Sequence, residues 1–399
     1  MTQNTQVLIV GAGPVGLLAA LVLRERGIDV TVIERQEPEH ARNFAVVLHP
    51  RAVALLGRLG IVEPLLWQGQ SFRQIGVYSE GERRALLTLQ PSTPLAAGAL
   101  TLPQNVLRRS LEGALRERGV HVRYHHRLLS LDATAHAVSV RVMRREVSGL
   151  SEAGQAAAWA DVEGREFEAD FVIGADGHDS SVRDALGIRL ERSSSPDSYV
   201  FFDVLRERET GTDAEIVLSE DMASAVYPLH GGMKRFSFEV TSTDSRLPNR
   251  DDLSRLVEAR MPWRERRFDV VEWSGRARFQ RAVAERFGEG RVWLAGDAAH
   301  RTSPLGVQSL NVGLYEAREL AEALSTCLEG RSSVAQLSER YGAARRSEWR
   351  RLLGLGAPLA LEPGAPAWIR RHRERLISSL PASREDLDDL LDQLRIQIP

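Results

Sequence analysis

The feature that most constrains the fold is a glycine-rich turn near the start of the chain, Gly11-Ala12-Gly13-Pro14-Val15-Gly16. It follows the apolar run Val7–Val10 and precedes an apolar helical pattern, with Pro14 at the first helical position and Gly27 at its end. A second apolar run, Asp29–Ile33, ends at Glu34. This order predicts a strand, a helix and a parallel strand, and therefore a sheet that is covered on both faces.

The spacing of the three glycines is typical of a dinucleotide-binding turn. Gly11 permits the tight turn, Gly13 lets a pyrophosphate approach the backbone, and Gly16 allows the helix to pack closely on the strand. The helix N-terminus offers N–H groups to the phosphates, and Glu34 stands where a carboxylate can accept hydrogen bonds from a ribose. The alternative is an ordinary tight turn. Such a turn does not account for the strand before it, the helix after it and Glu34 at the end of the next strand.

Composition excludes several classes of protein. A formal charge of −2 over 399 residues gives no electrostatic reason to expect nucleic acid or an anionic membrane as a partner. The single cysteine, Cys327, excludes an internal disulfide framework and favours a cytoplasmic location. The uncharged stretch Val7–Leu23 is near the minimum length of a membrane span, but its glycines and Pro14 favour a buried strand, turn and helix instead.

Beyond the first unit the pattern changes from helices to strands and back. Strand-like runs dominate between Tyr199 and Val240 and predict an antiparallel sheet that forms a second domain, and the stretch Ser148–Ala160, rich in small residues, is typical of a hairpin tip or a loop. Val292–Ala295 then predicts one more buried strand and Asn311–Leu328 a long helix. The segment from Arg331 onward is helical in pattern and highly charged, which predicts a peripheral position.

Two further motifs each follow a buried strand. Residues 174–183 read GADGHDSSVR, and residues 296–304 read GDAAHRTSP and precede the long helix. Together with the opening glycines, these segments resemble the three signatures of the flavin aromatic hydroxylases, the family of para-hydroxybenzoate hydroxylase. The resemblance extends from residue 7 to about residue 330.

The resemblance implies an α/β fold in which a Rossmann-like FAD-binding domain is interrupted by an antiparallel β-sheet substrate domain and followed by a C-terminal helical segment. The expected FAD-binding domain comprises residues 1–75, 100–185 and 286–330, and the substrate domain comprises residues 76–99 and 186–285. Residues 331–399 form the C-terminal helical region. A cleft between the two domains would hold the substrate.

The resemblance also implies the residues of the cofactor site. Asp297 would accept a flavin ribityl hydroxyl, Pro304 and Gly306 would bring backbone against the isoalloxazine, and the helix from Leu310 and Asn311 would direct N–H groups at its pyrimidine end. The complete expected set is Gly11, Gly13, Gly16, Glu34, Arg35, Arg42, Gln104, Asp176, Gly177, Arg183, Asp297, Pro304, Gly306, Leu310 and Asn311.

Simpler roles remain open for several of these residues. Asp176-Gly177 is also a common turn dipeptide, and Arg183 could be a solvated helix residue. Arg42 and Gln104 could be exposed polar residues. Asp297 with His300 could cap a helix or bind a metal, although neither has clustered partners in the sequence.

Two residues depart from the family pattern. Ser309 stands where the family commonly has glycine, and Glu316 stands where it has aspartate. The Cβ of Ser309 lies at an expected close backbone approach, so we expect the flavin-facing turn to differ in detail.

The implied activity is hydroxylation of a phenolic or polycyclic aromatic substrate by O₂, through a C4a-peroxyflavin on FAD that NADH or NADPH has reduced. Tyr227, His49 and Pro304 are the candidate substrate contacts; a packed aromatic and a surface histidine are the alternatives for the first two. Rival functions are a flavin-dependent reductase or dehydrogenase and a non-catalytic redox sensor. A halogenase is disfavoured, because the chain has no Trp-x-Trp-x-Ile-Pro segment and Lys234 is its only lysine.

Overall fold

A computed structural model describes residues 2–37, 45–91, 98–147, 159–192, 196–205, 213–241, 246–264, 268, 270–355, 360–361 and 364–397. Its strands are β1 Thr2–Val10, β2 Val30–Ile33, β3 Ala45–Leu48, β4 Gln70–Phe72, β5 Gln74–Ser79, β6 Glu82–Thr88, β7 Ala99–Pro103, β8 Val122–Arg123, β9 His126–Ala133, β10 Val138–Val147, β11 Trp159–Gly174, β12 Leu190–Arg192, β13 Asp197–Leu205, β14 Ala214–Leu218, β15 Ala223–Pro228, β16 Met233–Val240, β17 Val270–Phe279, β18 Ala282–Ala284, β19 Gly288–Glu289, β20 Val292–Leu294, β21 His300–Arg301, β22 Ala360–Leu361 and β23 Ile396–Gln397.

The α-helices are α1 Pro14–Glu25, α2 Pro50–Arg58, α3 Glu63–Gln68, α4 Gln104–Glu117, α5 Ser181–Ala185, α6 Arg250–Arg260, α7 Gln308–Leu328, α8 Val334–Leu337, α9 Ala344–Leu352, α10 Ala367–Ser379 and α11 Glu385–Gln393. A π-helical segment, Ser338–Ala343, joins α8 to α9. None of the helices in the described parts of the chain combines the length and the hydropathy that crossing a membrane requires.

The opening segment forms the parallel βαβ unit that its sequence predicts. β1 lies between β2 and β11 and is parallel to both, and β11 is in turn parallel to β20. Val7, Leu8 and Ile9 in β1 are fully buried, as expected for a central strand of a parallel sheet that is covered on both faces. The sheet runs in the order β19-β20-β11-β1-β2-β8, with β10 paired to β11 and β9 to β10.

A second, seven-stranded sheet runs in the order β17-β13-β16-β15-β14-β5-β6. One face packs against α6 through a separate apolar core that includes Phe202, Phe236 and Phe238. The other face carries Tyr199 and Phe201 on β13, which alternate with the residues of that core because successive strand side chains point to opposite faces. β5 and β6 belong to this sheet, although β7–β12 lie between them and the other strands of the sheet in sequence.

The domain boundaries given in the sequence analysis stay a prediction.

Two sequence expectations concern residues that the structure does not describe. Arg42 lies outside the described residues, as do residues 148–158 of the expected loop; Trp159 and Ala160, at the end of that stretch, belong to β11.

The C-terminal region is part of the core, so the expectation of a peripheral segment is wrong. Trp349 and Leu376 are fully buried in the same apolar cluster as β1. The side chain of Gln308, at the start of α7, donates hydrogen bonds to the carbonyl oxygens of Ile377 (2.7 Å) and Ala382 (3.3 Å). The C-terminal helices carry apolar residues at helical spacing among many arginines. These apolar residues form the surface that packs against the core.

We predict that Gly306→Ala destabilises the fold even without cofactor. An added Cβ would lie 2.6 Å from the carbonyl oxygen of Leu380 and 2.8 Å from that of Ser378, so the backbone must move. We expect a loss of about 1–3 kcal/mol in the free energy of unfolding, measured by urea denaturation of FAD-free protein. Gly113→Ala in α4 is the control, because its Cβ meets nothing within 4 Å and should stabilise the helix. An unchanged midpoint for Gly306→Ala would contradict this packing.

Candidate functional site

The three sequence motifs meet at the carboxyl ends of β1, β11 and β20. The N–H of Ala175 donates to the carbonyl oxygen of Val10 at 2.8 Å, which joins the second motif to the glycine turn. A Cβ on Gly296 would lie 3.0 Å from the side chain of Val15, so the third motif packs on the first turn of α1. Crevices at the carboxyl ends of parallel strands are where α/β sheets bind ligands.

The three glycines of the opening turn differ in what requires them. Gly11 has φ of +109° and its Cβ would lie 2.3 Å from the carbonyl oxygen of Ala175, whereas the Cβ of Gly16 would lie 2.1 Å from the carbonyl oxygen of Gly11. Gly13 has an ordinary φ of −70°, and its Cβ would meet nothing within 4 Å. The fold therefore needs glycine at 11 and 16 but not at 13. Open space in front of Gly13, beside the N-terminus of α1, fits a pyrophosphate.

Glu34 lies at the end of β2 and holds the glycine turn. Its Oε2 accepts the N–H of Ala12 at 2.8 Å and its Oε1 accepts the N–H of Gln36 at 2.9 Å. A carboxylate has about four lone-pair directions, so both oxygens retain capacity for ribose hydroxyls. The guanidinium of neighbouring Arg35 donates to the carbonyl oxygen of Asp179 at 3.3 Å.

A narrow crevice opens at this point, which we call the glycine-turn crevice. Its lining residues are Val10, Gly11, Glu34, Arg35, His126, Arg127, Leu128, Asp176 and Ser181. A larger cleft of about 490 Å³ lies elsewhere, between α9 and α11, and charged side chains line it. We place the cofactor at the smaller crevice, because it adjoins the glycine turn and Glu34 and the larger cleft does not.

The second motif serves the fold more than the sequence suggests. The carboxylate of Asp176 accepts hydrogen bonds from the N–H groups of Ser181 and Val182 and from two serine hydroxyls, so it caps α5. Arg183 is buried, and its guanidinium donates to the carbonyl oxygens of His178 (3.2 Å) and Ala298 (3.1 Å). Arg183 thereby links the second motif to the third, and its expected contact with the cofactor stays a prediction. Gly177, with φ of +79°, lies in the turn between Asp176 and α5.

Asp297 is the exposed residue of a buried third motif. Its neighbours Gly296 and Ala298 are buried, whereas its carboxylate lies at the surface and accepts the hydroxyl of Ser309 at 2.6 Å. The same hydroxyl lies 3.3 Å from Nδ1 of His300. Ser309, the residue that departs from the family glycine, therefore contacts the carboxylate expected to hold the ribityl chain.

A buried network lies directly behind this contact. Nε2 of His300 lies 2.7 Å from Oε2 of Glu316, and both side chains are fully buried. Glu316 also accepts the N–H of Gly296 at 2.9 Å and the indole N–H of Trp349 at 2.7 Å. The imidazole of His300 stacks on Trp349 with ring centroids 3.7 Å apart. Glu316 thus joins the third motif to the C-terminal region.

Helix α7 begins at Gln308, earlier than the sequence predicts. Its first N–H groups, including that of Leu310, have no partner within the helix, because backbone bonds start with the N–H of the fifth residue. The side chain of Asn311 accepts the N–H of His49 at 2.8 Å and donates to the carbonyl oxygens of Val47 and Val307. The side chain of Asn311 thus joins α7 to β3 and α2, and the expected contact of the backbone N–H groups at Leu310 and Asn311 with the flavin stays a prediction.

The turn before α7 contains a feature that sequence analysis missed. Val307, the residue that precedes the helix, has φ of +50°, a left-handed conformation that is costly for a β-branched residue. Half-buried Pro304 and buried Gly306 lie in the same turn. Contact with the C-terminal region explains the glycine at 306, so a flavin is not needed to account for it. The sequence around Val307 gives no sign of this conformation, because a positive φ is unfavourable for valine and is expected mainly at glycine.

His49 is buried and both of its ring nitrogens have partners. Its Nδ1 lies 2.9 Å from the hydroxyl of Ser383 and its Nε2 lies 3.0 Å from the carbonyl oxygen of Gly306, and the ring is fully buried. Burial lowers the pKa of His49 to about 3, so the ring is neutral. Both ring nitrogens join the turn before α7 to the C-terminal region, so the geometry supports a structural role, and the expected substrate contact stays a prediction.

Two tyrosines of the seven-stranded sheet reach the segment between the third motif and α7. The hydroxyl of Tyr227 donates to the carbonyl oxygen of Leu305 at 2.6 Å, and that of Tyr199 lies 3.2 Å from the hydroxyl of Ser303. Burial raises the pKa of both phenols well above the usual value, so both stay protonated. Gln104 begins α4 half-buried, and its side chain makes no hydrogen bond to another described residue.

Comparison with known proteins identifies the family. A family model described as an FAD binding domain matches residues 4–353. The chain belongs to this family of FAD-binding domains. It is 26% identical over 360 residues to a 3-(3-hydroxy-phenyl)propionate/3-hydroxycinnamic acid hydroxylase of Mycobacterium sp. (strain JLS), covering 88% of this chain and 59% of that protein.

A monooxygenase of Streptomyces rimosus that acts on 12-dehydrotetracycline and anhydrotetracycline is 28% identical over 353 residues, with 85% of this chain and 66% of that protein covered. The structure of p-nitrophenol 4-monooxygenase from Pseudomonas putida DLL-E4 is similar over the full length of both chains, with a TM-score of 0.72 and 22% identity, and supports the fold. The chain spans about three-fifths of the length of its hydroxylase relatives.

We predict that Gly13→Val abolishes FAD binding and leaves the fold intact. The Cβ at this position projects into open space where the pyrophosphate would lie, and φ there suits any residue. The measurements are FAD uptake by absorbance and thermal unfolding of the FAD-free variant. Gly16→Val is the contrasting variant, because its Cβ meets backbone and should prevent folding. A Gly13→Val protein that retains FAD with unchanged affinity would contradict the placement of the cofactor.

We also predict that Ser309→Ala weakens FAD binding about tenfold, the effect of losing one hydrogen bond to a charged group. The hydroxyl of Ser309 fixes one oxygen of Asp297 and leaves the other to accept a ribityl hydroxyl. Ser309→Thr keeps the hydroxyl and should restore affinity. Ser325→Ala in the same helix is the control, because the Ser325 hydroxyl has no hydrogen-bond partner among the described residues. Equal FAD affinity in Ser309→Ala and the wild type would show that Ser309 does not position Asp297.

Proposed function

We propose that this protein is an FAD-dependent monooxygenase that hydroxylates an aromatic substrate. The balanced reaction takes an aromatic C–H, O₂, NAD(P)H and a proton to the phenol, water and NAD(P)⁺. Bound FAD supplies the chemistry that carries electrons from the nicotinamide to O₂ and delivers one oxygen atom. The nicotinamide cofactor is NADH or NADPH. We expect the protein in the cytoplasm, because a chain with a single cysteine suits a reducing compartment.

One observation carries this proposal. Tyr199 and Tyr227 extend from the seven-stranded sheet and make hydrogen bonds to Ser303 and Leu305, directly before the helix that follows the third motif. The sheet that would bind substrate is thereby joined to the turn that would hold the reactive ring of the flavin. This contact between the two sheets supports a reaction in which a substrate is held next to the flavin.

The chain contributes placement, charge and protection from water. Asp297, Glu34 and the open backbone at Gly13 would hold the cofactor. The first N–H groups of α7, up to that of Leu310, would stabilise negative charge on the reduced flavin through the helix dipole. Hydroxylation needs a dry site, since water promotes release of peroxide instead of oxygen transfer.

The sheet face beside the turn favours a neutral or weakly acidic aromatic substrate. Tyr199, Phe201 and Phe279 form an aromatic cluster with ring centroids 5.6–6.4 Å apart. On the same face, the guanidinium of Arg235 is paired with the carboxylate of Asp203, with both hydrogen bonds at 2.6 Å. Relatives that act on hydroxyphenyl acids and on tetracycline intermediates bracket a range from phenolic to polycyclic substrates.

We predict that NAD(P)H reduces bound FAD slowly in the free enzyme and faster with a suitable aromatic ligand. No constellation of the described residues suggests a built-in acid or base for flavin reduction, so control of the reduction rate depends on when the nicotinamide can reach the flavin. The measurement is stopped-flow reduction across phenols and polycyclic aromatics, followed by ¹⁸O₂ labelling of product. Fast reduction that no ligand alters, with peroxide as the sole product, would favour a reductase. Bound FAD that NAD(P)H cannot reduce would favour a redox sensor.

A further inference from the structure

His126 begins β9 at the edge of the glycine-turn crevice. Its backbone N–H donates to the carbonyl oxygen of Glu34 at 2.8 Å, and the N–H of Glu34 donates to the carbonyl oxygen of Arg123 at 2.9 Å. These two bonds fix His126 beside the carboxylate expected to hold the ribose. His126 lines the crevice together with Val10, Leu128 and Asp176, although none of the three sequence motifs includes it.

The hydrogen bonds of the ring fix which nitrogen carries the proton. Nδ1 of His126 lies 2.6 Å from the carbonyl oxygen of Tyr124, which can only accept, so Nδ1 is the donor. Burial lowers the pKa of His126; the nearby guanidinium groups of Arg165, Arg123 and Arg144 also lower it, against the opposing hydrogen bond to Tyr124. The ring is therefore neutral, and its Nε2 presents a bare lone pair.

That lone pair has no partner among the residues that the structure describes. Nε2 of His126 is buried and makes no hydrogen bond to any described residue, and only 7% of the residue is exposed. A buried acceptor without a donor is costly, so such groups are rare unless a ligand or water satisfies them. His126, the residue that carries this unpaired acceptor, lines the crevice together with Glu34, Val10 and Leu128.

We propose that Nε2 of His126 accepts a hydrogen bond from the exocyclic amino group of the adenine of FAD. An adenine next to a ribose held by Glu34 would lie along the crevice, with apolar side chains against the base and its amino group as the donor. Hypoxanthine carries a carbonyl oxygen at this position, so two acceptors would face each other and binding would weaken. His126 thus distinguishes an adenine nucleotide from an inosine nucleotide.

The test compares ADP with IDP as competitors of FAD for the FAD-free protein. We expect the wild type to prefer ADP about tenfold or more, since a lost hydrogen bond leaves polar groups unpaired on both sides. His126→Phe keeps the ring and removes both nitrogens; it should bind ADP and IDP equally and FAD about tenfold more weakly. His126→Gln can return an acceptor and should restore the preference. His121→Phe, at an exposed position shortly before β9, is the control and should match the wild type.

The ADP-to-IDP ratio separates recognition from a structural role. His126→Phe also loses the hydrogen bond from Nδ1 to the carbonyl oxygen of Tyr124, so a small decrease in the thermal unfolding temperature of its FAD-free form is expected under either role. A purely structural role predicts the same ADP-to-IDP ratio in the variant and the wild type. Equal affinity of the wild type for ADP and IDP overturns the proposal, whatever the variants do. An effect on the KM of NADPH with unchanged FAD affinity would assign the adenine to the nicotinamide cofactor and would also overturn it. The proposal rests on FAD binding but not on hydroxylation, so failure to oxygenate any substrate would leave this nucleotide preference intact.

Discussion

A Cβ atom at Gly11 would lie 2.3 Å from the carbonyl oxygen of Ala175, and one at Gly16 would lie 2.1 Å from the carbonyl oxygen of Gly11. These two approaches bring the first helix, the first strand and the strand of the second motif into direct contact. Gly313 extends the same packing, because its Cβ would lie 2.9 Å from Val15, the residue against which the third motif also packs. Small residues at these positions let parallel strands and two helix N-termini meet at one edge of the sheet. The remaining groups of the cofactor site take their positions from this contact.

The motif residues divide into those that hold the motifs together and those that remain open to a ligand. The side chains of Arg183 and Asn311 make their hydrogen bonds within the protein, and the carboxylate of Asp176 accepts several hydrogen bonds that cap α5. Gly13, Asp297 and the glycine-turn crevice remain accessible. Such a division is physically reasonable, since a site must be rigid before it can orient a cofactor. Several motif residues thus contribute to binding through the geometry of their neighbours, without contact to the ligand.

The sequence predicts the βαβ unit, the strands of the second sheet and the FAD-binding family, because these depend on local apolar spacing and on short motifs. It cannot predict the packing of the C-terminal region. His49 meets Ser383, and Gln308 meets Ile377, only once distant parts of the chain have folded together. It equally cannot show that Val307 adopts a positive φ or that Nε2 of His126 is left unpaired. Each of these depends on three-dimensional neighbours and leaves no periodic pattern in the sequence.

The two departures from the family pattern are parts of one network. Ser309 contacts both Asp297 and His300, and His300 in turn contacts Glu316. Glu316 must reach the N–H of Gly296 and the indole of Trp349 as well as the imidazole, and the longer side chain of glutamate relative to aspartate suits these three partners. Trp349 belongs to the C-terminal region, so that region is linked to the exposed carboxylate through four consecutive side chains. A change in the packing of α9 would therefore alter the position of Asp297 without any contact to the ligand, which makes the C-terminal region a structural component of the flavin site.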